Sequence, residues 1–407
     1  MNAACPPPLS GNALLQRFIE LDAFLLQHQR LWQPKPFTEL ELPWEAEHPA
    51  LAHWLRQRTL EQADGCHNQP DTLDAPAPYP QLAAQAVRLA ELPALPTCAV
   101  EGFEHRLSVD VPGRKWQQIE AFARCLPKAP PVGAWLDWCA GKGHLGRLLA
   151  NAGGDLVSLE REPALVAEAQ RLSDRLGISA QHRQQDVLAD DVARHLQPQQ
   201  TVVALHACGE LHVQLMRQAS AQGCQRMAIA PCCYNRMQGE HYAALSQAAR
   251  GSSLILDQDA LRLTLAETVT AGARVRRQRD TSMARRLAFD LLQRELRGVD
   301  EYLYVPSVGV DWLARPFADY CQGLAELRQL EITGAQDWGR LEARGWQRLA
   351  EVRNLELVRG LFRRPLELWL LLDRALYLDE QGYDVSLGAF CPSSLTPRNV
   401  LLLAQRR

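Results

Sequence analysis

Apolar positions change their period along the chain. From Asn12 to about Gln62 they fall at helical spacing, as in ALLQRFIELDAFLLQ and HPALAHWLRQRTLEQ. The proline-rich NQPDTLDAPAPYPQ reads as a connector. Helical LAAQAVRLAELPAL and VPGRKWQQIEAFARCL follow, then the breaker KAPPVG at Lys128 to Gly133. From Ala134 short apolar runs alternate with helical patterns. AWLDW, DLVSLE, AQHRQQD, TVVALHACG and RMAIAPCC read as strands, with HLGRLLANAG, PALVAEAQRLSDRLG, VARHLQ and LHVQLMRQASAQG as the helices between them. Such alternation with short connections predicts an α/β fold, a parallel sheet with helices on both faces. Its sites are expected at the carboxyl ends of the strands. From Gly239 to Arg364 leucine–arginine helices dominate. The helix ELWLLLDRALYLDEQG then leads to YDVSLGAF and NVLLLAQ, an antiparallel pair expected to close the sheet edge. The expected division is a mainly helical N-terminal region (1–127), a first part of the α/β core (128–238), a helical insertion (239–364), and a terminal helix and hairpin completing the core (365–407).

Composition narrows the class without changing this picture. Hydrophobic residues are 47% and charged residues 22% of 407, ordinary for a soluble protein with a sizeable core. With 44 Lys+Arg against 47 Asp+Glu, the net charge of −3 argues against a surface that coats nucleic acid everywhere, but allows a local basic patch. One candidate is Arg274, Arg276, Arg277, Arg279, Arg285, Arg286, Arg294 and Arg297, opposed within that span only by Asp280, Asp290 and Glu295. It reads either as a phosphate-facing surface for RNA or as a solvated helix face. The start MNAACPPPLSG lacks the features of a secretory signal. The most apolar stretch, Leu366 to Leu378, is broken by Glu367, Asp373 and Arg374, short of the ~18 apolar residues a membrane span needs. Eleven cysteines, an odd count with no CxxC, fit neither a zinc ribbon nor a secreted disulfide framework. A soluble, reduced, cytoplasmic protein with no resident metal is the expectation; oligomeric state is not encoded in any legible pattern.

The loop after AWLDW carries the clearest chemistry. Asp137-Trp-Cys139-Ala-Gly141-Lys-Gly143-His-Leu145-Gly146 contains GxGxxG, and Glu160 ends the next strand nineteen positions after Gly141, the spacing of a dinucleotide fingerprint. Asp137 argues against a dinucleotide, because its carboxylate would repel a pyrophosphate. S-adenosylmethionine instead offers a cationic amino group and a sulfonium. Gly141 and Gly143 let the backbone approach such a ligand, and Glu160 suits a ribose diol. Asp186, followed by Val187, ends the third strand and reads either as an acceptor for the adenine amino group or as a cap for the next turn.

Together with DWCAGKGHLGRLLA, the runs His206-Ala-Cys208-Gly209 and Ala230-Pro-Cys232-Cys233-Tyr234 resemble a family of Rossmann-type methyltransferases. That family includes the animal glutathione-S-transferase C-terminal-domain-containing protein and, more distantly, tRNA 2′-O-methyltransferases of the acceptor stem. The resemblance implies a seven-stranded methyltransferase sheet and S-adenosylmethionine as donor; Asp137, Gly141, Gly143 and Leu145 match the family's first motif, and Cys139, Glu160, Asp186, Val187 and His206 complete the expected donor-binding set. It covers Ala134 to Arg236 closely and Tyr383 to Gln405 loosely. The cysteine–histidine zinc clusters of the tRNA enzymes are missing.

Cys139, His206, Cys208, Cys232 and Cys233 all fall at strand ends, near one cleft. They read as small packing residues, as soft metal ligands drawn from separate strands, or as catalytic groups. In the last case His206 is a general base, Cys232 a nucleophile toward a pyrimidine, and Tyr234 a stacking platform for an acceptor base. The leading expectation is methylation of tRNA or rRNA. The alternatives are a protein or small-molecule acceptor, and a binding scaffold that keeps the fold without the activity.

Overall fold

The computed structural model describes residues 7–98, 105–126, 134–266 and 272–407; the breaker at 128–133 lies outside them. The chain divides into two compact units. The first joins the N-terminal stretch up to Leu26 with Leu89–Thr264 and Leu366–Arg407; the second joins Gln27–Arg88 with Leu265–Pro365. This differs from the sequence-based division, in which 1–127 and 239–364 were separate regions. The physical reason is that the apolar faces of helices 49–66 find their cover late in the chain, on the helix Trp338–Gly360, a pairing no local pattern announces.

The first unit is built on an eight-stranded sheet: β1 (Leu9–Ser10), β2 (Trp135–Trp138), β3 (Leu156–Glu160), β4 (Ala180–Gln184), β5 (Thr201–Cys208), β6 (Arg226–Cys232), β7 (Tyr383–Ala389) and β8 (Val400–Arg406). Its order is β1-β7-β8-β6-β5-β2-β3-β4. β2 through β6 pair in parallel, and β8 runs antiparallel between β6 and β7. The hairpin therefore does not close the edge. β8 sits inside the sheet, and the two-residue β1 pairs with β7 beyond it, adding an eighth strand to the seven expected. The chain steps outward from β2 to β3 and β4, then returns to place β5 on the other side of β2. That reversal puts the crevice at the carboxyl ends of β2 and β5.

Burial explains the strand assignments. β2, WLDW, is buried at every position, as a central parallel strand must be, whereas the edge strand β4, AQHRQ, is largely exposed. Helices Gly113–Arg124 and His144–Asn151 lay Phe122, Leu148 and Leu149 on a core shared with Leu156, Val203, Ala228 and Leu401. Each such side chain stabilises the unit by roughly 1.5–3 kcal/mol when fully buried, and this core fixes the height at which the glycine loop leaves β2.

The second unit is helical. Ala273–Arg297 and Trp338–Gly360 are its longest helices. One cluster gathers Phe289, Leu292, Tyr320, Leu324 and Leu341, and another Ala284, Leu287, Leu349 and Val352. Among the described residues, no helix is long and apolar enough to cross a membrane.

Candidate active site

Asp137 enters the glycine loop almost fully buried, 3% exposed, and its Oδ2 accepts from Gly146 N at 3.0 Å. Burial pushes its carboxyl up to about 7, against the opposing pull of the Gly146 N–H and of Arg147 and Lys115. The carboxylate thus clamps the start of the helix His144–Asn151 across the loop. Glu160 makes a second clamp: Oε2 accepts from Gly141 N and Oε1 from Glu162 N, each at 3.0 Å. It is half-buried, and each oxygen keeps a lone pair for a further donor. Between the clamps Gly141 is left-handed at φ +57, and a Cβ there would meet nothing within 4 Å. Gly143 is also left-handed, but a Cβ there would come within 2.6 Å of His182 Cε1. The loop is therefore braced from behind and open at Gly141, as the cradle of a ligand must be.

The other predicted donor residues divide. Cys139 sits among them: burial pushes its thiol up, and the negative groups Glu160, Asp137, Cys208 and Asp186 add to the effect. Asp186 is exposed and its Oδ1 accepts from Leu188 N at 3.0 Å; it closes a local turn but caps no helix, since the next helical turn starts at Asp190 behind Ala189, and the neighbouring Leu188, 40% exposed, offers an apolar surface. Leu145 and Val187 are buried at 5% and 3%. The Leu145 side chain belongs to the hydrophobic core, so contact with a donor falls to backbone at that position.

Three non-glycine residues with left-handed backbones stand at the ends of adjacent strands: Cys139 after β2 (φ +59), His206 in β5 (φ +67) and Cys233 after β6 (φ +47). Each costs of order 1–3 kcal/mol, and such strain clusters at functional sites. In β5 it accompanies a register shift between Leu205 and Cys208. His206 Nε2 lies 2.9 Å from Gln118 Oε1, while Gln118 Nε2 donates to Leu395 O at 3.3 Å. That second bond sets the amide orientation, so His206 Nε2 carries the proton and Nδ1 is left with its lone pair. Burial lowers the His206 pKa, with Lys115 and Arg398 adding to it. His206 is therefore neutral near pH 7, the state a general base requires.

Two catalytic expectations change. Cys232 is 5% exposed, and its thiol is pushed up by its contacts with Cys208 and Cys233 and by burial. The thiols pulled down are Cys233, half-buried, first by its contact with Cys232 and then by Cys208, Arg236 and Arg398, and Cys208, by its own contact with Cys232. Tyr234 is 2% exposed; its ring meets His212 edge-on at 6.2 Å and carries the Arg374 guanidinium at 5.0 Å. A ring enclosed this way anchors the end of β6 and presents no face to an acceptor base.

The arginine stretch also resolves into two parts. Arg285 bonds Glu342 and the carbonyls of Leu313 and Arg315; Arg286 bonds the carbonyls of Val305 and Pro306. Arg294 pairs with Asp290 and Asp300, and Arg297 with Gln293. These four hold the second unit together and are not a phosphate surface. Arg279 lies 3.5 Å from Asp280, and Arg274, Arg276 and Arg277 remain exposed at the start of the helix.

Sequence reasoning missed Gln118 and Arg147. Arg147, 3% exposed, bonds the carbonyls of Lys142 and Ala169 and the ring of His144, stiffening the loop from behind. Its signal was a charged residue on the apolar face of HLGRLLAN. Gln118 had none, since it lies before the breaker in a segment with no local motif.

Residues 114–240 match the family described as a methyltransferase domain. The chain is similar to magnesium protoporphyrin IX methyltransferase from Synechocystis PCC 6803 with bound SAH, at 19% identity over 32% of this chain and 61% of that one, TM-score 0.26. It is similar to the T. thermophilus 16S rRNA methyltransferase in complex with AdoMet and guanosine, at 20% identity over 30% and 35% of the two chains, TM-score 0.24. It is also similar to a sugar N-methyltransferase from Streptoalloteichus sp ATCC 53650, at 18% identity over 34% and 59%, TM-score 0.21. It thus spans less than two thirds of each of these proteins. The family match begins inside the helix that carries Gln118 and ends just past Cys233. Residues 114–240 therefore make up a methyltransferase domain.

Proposed function

We propose that the protein transfers a methyl group from S-adenosylmethionine to an RNA, a tRNA or rRNA. The observation that carries this reading is a set of cations from three separate elements around the strand ends. Lys115 on the helix Gly113–Arg124 and Arg398 before β8 both act on His206; Arg236, past β6, acts with Arg398 on Cys233. Lys115 and Arg236 are exposed. Cations at an acceptor entrance favour a phosphate-bearing substrate. The bound donor supplies an already activated methyl group. The chain's part is to hold the acceptor in line, keep water out, and take one proton at His206 Nδ1.

The test is incubation of the protein with labelled donor and, separately, total cellular RNA and total protein. Label in RNA is expected, and label confined to protein or small molecules would overturn the acceptor. Reversing Lys115 and Arg236 to Glu should lower RNA affinity and flatten its salt dependence by roughly one phosphate contact per residue. Reversing Arg274, Arg276, Arg277 and Arg279 measures whether the second unit adds contacts of its own. His206→Ala should keep donor binding while the rate falls ~10²–10⁴-fold. An unchanged rate per folded molecule would reduce His206 to a packing residue.

A further inference from the structure

The domain leaves three cysteines unexplained. Cys208 and Cys232 are register partners on the adjacent parallel strands β5 and β6, so their side chains share one face of the sheet. Cys233 follows directly, and strand alternation would send its side chain to the opposite face. It does not go there. The left-handed turn at Cys233 (φ +47) brings the thiol back, and the Sγ atoms of Cys208, Cys232 and Cys233 all lie within 4.8 Å of one another. Cys208 and Cys232 are 3.2 Å apart. The register shift at Leu205–Cys208 serves the same convergence, since it sets Cys208 opposite Cys232. Two backbone irregularities on two strands thus aim three thiols at one point. Simple packing requires neither of them.

We propose that Cys208, Cys232 and Cys233 form a three-thiolate zinc site with its fourth position open, at the carboxyl ends of β5 and β6. A Zn–S distance of ~2.3 Å in tetrahedral geometry sets the sulfurs roughly 3.8 Å apart; the Cys208–Cys232 pair at 3.2 Å would open slightly, and the three sulfurs already lie within 4.8 Å of one another. Three thiolates around Zn²⁺ leave one negative charge, and the guanidinium groups of Arg236 and Arg398 act on Cys233 to offset it. Three protein ligands and an open position are the arrangement of reactive rather than purely structural zinc. The site needs no donor-binding reading to stand, because its ligands are outside the glycine loop.

The test uses the full chain, untagged and reduced. After dialysis against trace zinc, elemental analysis should give one zinc per chain, and exchange with Co²⁺ should produce a sulfur-to-metal charge-transfer band. Cys208→Ser and Cys233→Ser should each lose the metal while retaining cooperative thermal unfolding. Should a variant fail to fold, alkylation of the wild-type chain decides: zinc should protect these three cysteines from iodoacetamide, and a chelator should remove the protection. Absence of stoichiometric zinc, equal alkylation with and without chelator, or a Cys208–Cys232 disulfide in the chain as isolated would overturn the proposal.

Discussion

Gly209→Ala should unfold the site, whereas Gly141→Ala should leave the fold nearly intact and lose the donor. A Cβ on Gly209 would lie 1.8 Å from Arg236 O and 2.6 Å from Arg236 C. This is backbone that cannot swing aside, because Glu210 N donates to that same carbonyl at 2.8 Å and Gly209 N to Cys232 O at 3.2 Å. The backbone at Gly209, φ +55 and ψ −122, is moreover closed to other residues. Strain of about 1–3 kcal/mol adds to overpacking of about 1–3 kcal/mol. The melting temperature should fall by roughly 10 °C, at about 2–4 °C per kcal/mol for a unit of this size. Gly141→Ala meets only its own φ of +57, a cost of about 1 kcal/mol, yet its methyl would project into the open cradle. Thermal unfolding and donor calorimetry on both variants separate the two effects. Unchanged donor affinity in Gly141→Ala would show that the open space belongs to something else.

The contrast marks where sequence was informative. GxGxxG, the acids closing β2 and β3, and the HACG and PCCY runs were legible because strand ends, glycines and acids at fixed spacing are local. The parallel sheet and a site at the carboxyl ends of its strands followed from alternation alone. What was not legible depends on pairing at a distance. Gln118 reaches His206 across 88 positions, and helices 49–66 are covered by a helix near residue 350. Tyr234 looked like a free aromatic beside the cleft, and only its enclosure by His212 and Arg374, the latter 140 residues later, shows it to be an anchor. Half of the arginine run was illegible for a related reason. Its net charge was real, but the carbonyls and acids that absorb Arg285, Arg286, Arg294 and Arg297 belong mostly to the connecting segments and helices that follow. The cysteines are the reverse case: strand alternation, applied to Cys232 and Cys233, places them on opposite faces, and the left-handed turn that overrides it has no signature in PCCY.

Asp137→Asn should make the free protein more stable at neutral pH and its donor binding much weaker. Asp137 is buried, and its carboxyl is raised to about 7 from 3.8. For a raised carboxyl the native state favours the protonated form. That contribution is complete below the unfolded value near 4 and is lost as pH climbs through about 7. The wild-type chain without donor should therefore lose stability between pH 4 and 7, on the order of a few kcal/mol, while Asp137→Asn should show no such slope from this position. The asparagine oxygen still accepts from Gly146 N, so the loop clamp survives. The donor's cationic amino group, by contrast, is stabilised by an ionised carboxylate and gains little from an amide. Losing that charge-assisted contact should cost about 1.5–3 kcal/mol, tens-fold or more in Kd. The same linkage predicts that donor binding to the wild type releases a proton below pH 7 and tightens as pH rises through it. Calorimetry in two buffers of different ionisation enthalpy reads the proton directly. No proton release at pH 6.5, or equal donor affinity in Asp137→Asn, would confine Asp137 to bracing the loop and leave the donor's cation to some other group.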